Sequence, residues 1–320
     1  MNGTLTDIPG VRVGHAHDLE ALTGCTVILL DDGAVAGVDI RGAAPGTRET
    51  ALLDPLKMIS QIHGLVLSGG SAFGLESATG VMRYLEEQGK GFDVGVARVP
   101  IVPSAVLFDL MLGRSDVRPT ADMGYEACLN ATSEPVKQGN VGAGAGASVG
   151  KILGPKQATK SGLGTASIKI GGGIRVAALV AVNAFGDVVD PESGRILAGA
   201  RRPVVGGFAN SGKLLLGDLN RIIAGFHTNT TIGVVATDAR LTKTETARVA
   251  QMAHNGYAKS ISPVHTEYDG DAIFALSCGE KKGDVNAIGY GAAQAMAMAV
   301  IQAVKHAQPA GGLPAWQENP

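Results

Sequence analysis

Glycine constrains this chain more than any other residue type. It supplies 46 of 320 residues, about double the ordinary usage of roughly 7%. No G-X-Y period accompanies it, so a collagen helix is excluded. The glycines stand beside Val, Ile, Leu and Ala rather than Ser and Gln, which excludes a flexible linker. Aromatic residues make up only 4% of the chain. A core without large rings has to be built from small and β-branched side chains packed closely, and glycine lets backbones approach one another or a ligand. With 45% hydrophobic and 18% charged residues the chain is not disordered. Its length suits one large domain or two ordinary ones.

The formal charge is −2 and the isoelectric point about 6.4, with no basic stripe. Nucleic acid is therefore not expected as a partner. Cys25, Cys128 and Cys278 lie far apart without CxxC spacing, and read as reduced core residues of a cytoplasmic protein. Residues 1–10 lack a charged stretch followed by an apolar one, so no secretory signal is expected. The longest apolar run, 289–304, is interrupted by Gln294 and Gln302. It reads as a buried Ala-rich helix, and no membrane partner is expected. His15, His17, His63, His227, His254, His265 and His306 form no HExxH or other ligand cluster. His15 and His17, two apart, read as surface or packing residues. No metal and no cofactor are expected.

Short β-rich runs alternate with helical stretches, which predicts an α/β or α+β chain. Strands are expected over 26–30, 64–68, 92–96, 174–182, 232–237 and 272–277. Several are apolar on both faces, so both sides of their sheets are covered. Helices are expected over 71–88, over 242–257 with a Thr242/Glu245 capping box, and over 284–306 with Asp284 as N-cap. Two segments read as loops: 155–164, and the long irregular 201–228, which ends at a well-formed strand.

Four motifs bear on chemistry. Ser68-Gly69-Gly70-Ser71-Ala72-Phe73-Gly74 resembles a nucleophile elbow, but Phe73 stands where G-x-S-x-G needs glycine. It reads as a strand-to-helix turn with Ser71 capping the helix and Gly70 and Ser71 shaping a substrate pocket. The run from Gly142 to Lys151 resembles a phosphate loop and fails at Ala145 and Ile152. A glycine-rich strand delivering one lysine fits better. That lysine is either solvated or a positive charge beside developing negative charge. Asn229-Thr230-Thr231 opens an apolar strand. A threonine there is an ordinary loop-to-strand residue, or a nucleophile whose own free α-amine is the base, which requires a cut before Thr230. Asp269-Gly270-Asp271 is a turn and strand cap, or a pair that orients a hydroxyl and an ammonium.

Taken together, Leu67-Ser68-Gly69-Gly70-Ser71-Ala72-Phe73-Gly74-Leu75, Gly139-Asn140-Val141-Gly142-Ala143-Gly144, Asn229-Thr230-Thr231 and His265-Thr266-Glu267-Tyr268-Asp269-Gly270-Asp271 resemble the DmpA-like L-aminopeptidase/D-esterase family. This family also contains β-peptidyl aminopeptidases and nylon-oligomer hydrolases, and the likeness spans nearly the whole chain. The resemblance implies an α+β fold, a four-layer αββα sandwich of the N-terminal-nucleophile (Ntn) hydrolase kind. It implies one domain that cuts itself between Asn229 and Thr230 into an α-chain of residues 1–229 and a β-chain of 230–320. It further implies a homo-oligomer, typically a tetramer of processed units.

At the site the likeness is to the nylon-oligomer hydrolase branch, whose catalytic set corresponds to Thr230, Lys151, Asn183, Asp269 and Asp271. The implied chemistry is attack by the Thr230 hydroxyl on an amide, with Asn183 donating to the oxyanion and Lys151 adding positive charge. Asp269 and Asp271 orient the nucleophile, and water releases the acyl-enzyme. Expected substrates are short peptides or amino-acid amides and esters, attacked in aminopeptidase fashion. One alternative is endo-type hydrolysis of ω-amino-acid oligomers. A second, of another class, is a non-processing nucleotide-binding or structural protein.

Overall fold

Along the long strands of the main sheet side chains alternate between two apolar layers, and this parity sets the architecture. The computed structural model describes residues 3–204, 206–217 and 229–317. Among these, nine strands form the main sheet: β1 (Val11–Asp18), β2 (Thr23–Ile40), β3 (Gly46–Arg48), β4 (Gln61–Ser68), β5 (Ser104–Val106), β6 (Leu163–Lys169), β7 (Arg175–Asn183), β8 (Thr230–Ala239) and β9 (Ala272–Lys281). Their order is β6-β7-β8-β9-β2-β4-β5-β3, with β1 also pairing β2. The pairs β8/β9 and β4/β5 are parallel, and the rest are antiparallel.

The 18-residue β2 belongs to two half-sheets. One edge pairs β1 along 23–30 and then β9 along 35–40, and the other edge pairs β4. The halves stack face to face. Leu179 of β7, Val234 of β8 and Phe274 of β9 pack with Ile28 of β2 and Leu65 and Leu67 of β4 in the middle layer. The opposite parity, Val180, Val235 and Ala275, faces helices α4 (Lys243–Ser260) and α5 (Val285–Lys305). On the far side Val27, Leu29 and Val66 face α1 (Ser77–Glu87) and α2 (Ala121–Leu129). Three apolar interfaces between four layers make an αββα sandwich, and side-chain alternation along each strand generates it.

The expected caps are present. Thr242 Oγ1 accepts from Glu245 N at 3.3 Å while Glu245 accepts from Thr242 N at 2.8 Å. Asp284 accepts from Ala287 N at 2.9 Å. Helix α5 is long and apolar enough to cross a bilayer by length and composition, but 67% of that window is buried within the protein.

Five expectations change. Residues 92–96 make only Phe92–Asp93, paired with Arg98–Val99 in an exposed hairpin. Asp93 accepts from Gly95 N at 2.8 Å and turns the chain before a buried strand can form. The helix over 71–88 begins as a 3-10 turn, Ser71–Glu76, and becomes α only at Ser77. Ser71 does not cap it. Its backbone is left-handed (φ +54°) and its N–H donates to Leu107 O at 3.0 Å, so the residue is committed to the neighbouring chain. The run from Gly142 is a 3-10 turn, Gly142–Gly144, with only Ser148–Val149 in strand pairing. Within 155–164 the expected loop is interrupted by a 3-10 turn, Pro155–Gln157, a buried two-residue strand, Thr159–Lys160, and the start of β6. Within 201–228 a short helix, α3 (Ser211–Leu216), starts at Asn210, whose side chain accepts from Lys213 N. Residues 205 and 218–228, His227 included, lie outside the described residues.

The glycine excess has a concrete use where α1 crosses α2. A Cβ on Gly80 would lie 1.7 Å from Ala121 O, and one on Gly124 would lie 2.0 Å from Ser77 O. The two helices therefore touch backbone to backbone. Gly80→Ala is expected to destabilise the protein by about 1–3 kcal/mol, as overpacking does, read as a lower urea midpoint at unchanged m-value. An unchanged midpoint would contradict this packing account.

Candidate active site

Antiparallel register brings the ends of β7 and β8 together and places Asn183 opposite Thr230. Both are buried. The Thr230 hydroxyl donates to the carbonyl of Asn229, the residue just before it. The same carbonyl accepts from Gly270 N at 3.0 Å. A hydroxyl oxygen thus sits against a peptide carbonyl whose oxygen is already held by a backbone donor, an arrangement that favours charge developing on that oxygen. Gly270 is required by contact. A Cβ there would lie 2.4 Å from Ala44 O and 2.8 Å from Thr230 Oγ1.

Lys151 and Asn183 form the second wall. Lys151 Nζ donates to Asn183 Oδ1 at 2.6 Å and to its backbone oxygen at 3.0 Å. Ser148 N also reaches Oδ1, at 3.1 Å. Asn183 Nδ2 donates one hydrogen to Phe108 O at 2.8 Å, which leaves its second hydrogen for another acceptor. Lys151 is spent on Asn183 rather than on a phosphate cradle.

Asp269 and Asp271 close the third side. Asp269 accepts from Phe185 N at 3.1 Å, from Thr266 N at 3.2 Å and from Thr266 Oγ1 at 2.5 Å. Asp271 Oδ1 accepts from Thr231 N at 2.7 Å, and Oδ2 faces His265 through its N at 3.2 Å and Nδ1 at 2.8 Å. Asp271 therefore holds the backbone directly after Thr230, while Asp269 ties its own loop to Phe185. Burial raises Asp269 to about 6, with Asp271 adding repulsion. Burial also lowers Lys151 to about 7, against the opposing pull of Asp269 and Asp109.

Two clefts open here, separated by Phe108. One, of about 170 Å³, is lined by Thr230, Asn229, Ser71, Ala44 and Pro45. The other, of about 360 Å³, is lined by Lys151, Ser148, Asp109, Met111 and Leu112. Ser71 is thus brought beside Thr230. Gly70 lines neither cleft, and its N–H instead anchors Asp109 Oδ1 at 2.7 Å.

Sequence reasoning missed Asp109. Its other oxygen accepts from Thr23 Oγ1 at 2.8 Å, and burial raises it to about 6. A lone carboxylate in the run Leu107-Phe108-Asp109-Leu110 was the only signal. Lys160 was also missed. It is fully buried, donates to Gly144 O at 3.2 Å, Ala147 O at 2.9 Å and Ser161 O, and is lowered by burial to about 7. It holds the turn that carries Ser148 and Lys151. Among the described residues no group of three or more His, Cys, Asp or Glu could hold a metal ion. His15 packs, with Nδ1 3.0 Å from Thr26 Oγ1.

A family model described as peptidase family S58 matches residues 3–315. An uncharacterised aminopeptidase of Mycobacterium tuberculosis is 41% identical, over 98% of this chain and 97% of its own length. A 6-aminohexanoate-oligomer endohydrolase of a Kocuria species is 32% identical, over 86% of this chain and 74% of its own. Among solved structures, the L-aminopeptidase D-Ala-esterase/amidase of Ochrobactrum anthropi, described as a variant of the Ntn hydrolase fold, superposes with a TM-score of 0.73 at 20% identity. That match covers 98% of this chain and 90% of that one. A Burkholderia beta-aminopeptidase superposes with a TM-score of 0.71 at 21% identity, covering 99% and 91%. These two structures share the fold.

Lys151 holds its proton less tightly folded than unfolded. Below about pH 7 both states are protonated and the folded state bears the full cost of the buried charge. Between about 7 and the ordinary lysine value of 10.5 the unfolded chain binds a proton that the folded chain lacks, so stability rises with pH across that window. Lys151→Met removes this contribution. Urea denaturation from pH 7 to 10.5 is expected to find wild type gaining on the variant by up to about 1.4 kcal/mol per pH unit. Parallel curves would mean that Lys151 is not desolvated.

Proposed function

The chain belongs to peptidase family S58, and on that premise we propose that it is a self-processed N-terminal-threonine amidohydrolase. Its reaction is hydrolysis of an amide bond. The observation that carries the reading is the Thr230 hydroxyl lying against the Asn229 carbonyl, whose oxygen Gly270 N–H holds. In maturation, Thr230 Oγ1 attacks the Asn229 carbonyl carbon. The C–N bond breaks, its nitrogen takes the proton and becomes the Thr230 amine, and an ester links Asn229 to Oγ1. Water hydrolyses that ester and leaves residues 1–229 and 230–320 as two chains.

In turnover the freed amine, with an ordinary value of about 7.7–8.0, takes the proton of the hydroxyl as it attacks a substrate amide, and passes it to the leaving nitrogen. The free Nδ2 hydrogen of Asn183 serves the oxyanion. Lys151 fixes the Asn183 amide by its oxygen and adds positive charge in its protonated fraction. Asp271 grips Thr231, and Asp269, beside the new amine, stabilises it as an ammonium. Water then releases the acyl group.

The substrate reading is a short peptide or an amino-acid amide or ester with a free amine, supported by the relative named an aminopeptidase. Endo-type hydrolysis of ω-amino-acid oligomers is the second reading, supported by the relative named a 6-aminohexanoate-oligomer endohydrolase. We further propose a cytoplasmic homo-oligomer, a tetramer of processed units, without nucleic-acid, membrane or cofactor partners. The buried, unpaired Cys25 and Cys128 fit a reducing compartment.

Intact mass decides the central step. Wild type is expected as two chains, the smaller beginning Thr-Thr-Ile-Gly, while Thr230→Ala stays whole at 32.5 kDa and inactive. A Thr230→Ala chain that still splits at this bond sinks the mechanism. Comparing a free dipeptide, its N-acetylated form and a 6-aminohexanoate trimer separates the two substrate readings.

A further inference from the structure

His265 is neither a residue of the two clefts nor a free surface histidine. We propose that it is a positioning residue, which orients Asp271 and, through Asp271, the backbone next to the nucleophile. The inference rests on the function proposed above. Its first support is geometry. Both the backbone N–H and Nδ1 of His265 converge on one oxygen of Asp271, at 3.2 and 2.8 Å, while the other oxygen of Asp271 accepts from Thr231 N at 2.7 Å. An unbroken chain of polar contacts therefore runs from the imidazole to the residue directly after Thr230.

Its second support is the backbone. His265 is one of five non-glycine residues with positive φ among those described, at +55°. A left-handed histidine is costly, and here that conformation brings both donors onto the same oxygen.

The ring's state follows from its partners. A carboxylate oxygen accepts, so Nδ1 is the ring nitrogen that donates to Asp271. Among the described residues the buried Nε2 has no hydrogen-bond partner. Behind it stand His254 and Tyr257 of α4, with ring centroids 4.8 and 6.2 Å away. His254 Nε2 lies 3.0 Å from the backbone oxygen of Asp39 and 3.5 Å from its carboxylate, at the end of β2, where Arg41 also lies. Asp269 shares the loop with Asp271. His254 Nδ1 and the Tyr257 hydroxyl are likewise buried without partners. Two rings this close cannot both be charged, and burial lowers His254 to about 4.

The test compares variants that all tolerate a left-handed backbone, so that strain does not differ among them. His265→Asn keeps a side-chain donor in the position of Nδ1. His265→Asp is nearly isosteric and turns a carboxylate toward Asp271. His265→Gly removes the side chain. With an amino-acid p-nitroanilide as substrate, the Asn variant is expected to keep kcat within about threefold of wild type. The Asp and Gly variants should lose about tenfold to a hundredfold in kcat with KM changed less than about twofold, the size expected on removing a hydrogen bond to a charged group. The self-cleavage rate should follow the same order.

Equal kcat for the Asn and Asp variants overturns the assignment while leaving the amidase intact. A loss of kcat that comes together with loss of near-ultraviolet dichroism marks a packing role and also overturns it. A wild-type chain that neither cuts itself nor turns over substrate overturns the function proposed above as well.

Discussion

The antiparallel pairing of β7 with β8 is the contact on which the site depends. Its register sets Thr230 opposite Asn183 at the last rung, and a slip of one residue would send every side chain of the strand to the wrong layer. The pattern of Ala177, Leu179 and Ala181 inward against Val176, Ala178, Val180 and Val182 outward excludes any odd-numbered slip. The apolar core thereby sets the position of a polar pair. On the other edge of β8, the parallel β9 brings the Asp269-Gly270-Asp271 turn alongside the same strand end.

Charge is buried around that pair at considerable cost. Lys151, Lys160, Asp109, Asp269 and Asp271 are all buried, and among the described residues none of them forms a direct lysine-carboxylate ion pair. Each is held instead by backbone groups and short side chains: Lys160 by carbonyls, Asp269 by the N–H groups of Phe185 and Thr266, Asp109 by Gly70 and Thr23. Fixed dipoles of this kind let a group carry charge without a counter-ion and leave it sensitive to events in the cleft. The small side chains of the core serve the same end, because they let backbone groups come close enough to act as partners.

Some of this was legible along the chain and some was not. The capping box at Thr242, the Asp284 cap and the core strands were legible because they rest on neighbours within four residues or on short continuous apolar runs. The Asp269-Gly270-Asp271 run reads equally as a turn or as a site, and only the identity of what faces Gly270 separates the two. Residues 92–96 have the composition of a strand, but the Asp93 turn ends it and no layer lies over it. Asp109, Lys160 and His265 are ordinary polar residues on paper. Each depends on partners distant in sequence: Asp109 on Gly70 and Thr23, and Lys160 on the turn at 144–147. His265 in turn depends on α4 and β2 as well as on its own loop.

By itself the sequence determined the apolar runs of the core strands, the helix starts at Thr242 and Asp284 and the family resemblance, because those are properties of local spacing and motif. The glycine excess marked close approach without saying where. Tertiary structure decided that Gly80 and Gly124 let two helices touch, and that Gly270 leaves room for the Thr230 hydroxyl. It also decided which lysines are buried and which carboxylates face them. Burial and hydrogen-bond geometry depend on residues brought together from across the chain, and one-dimensional spacing carries no record of that distance.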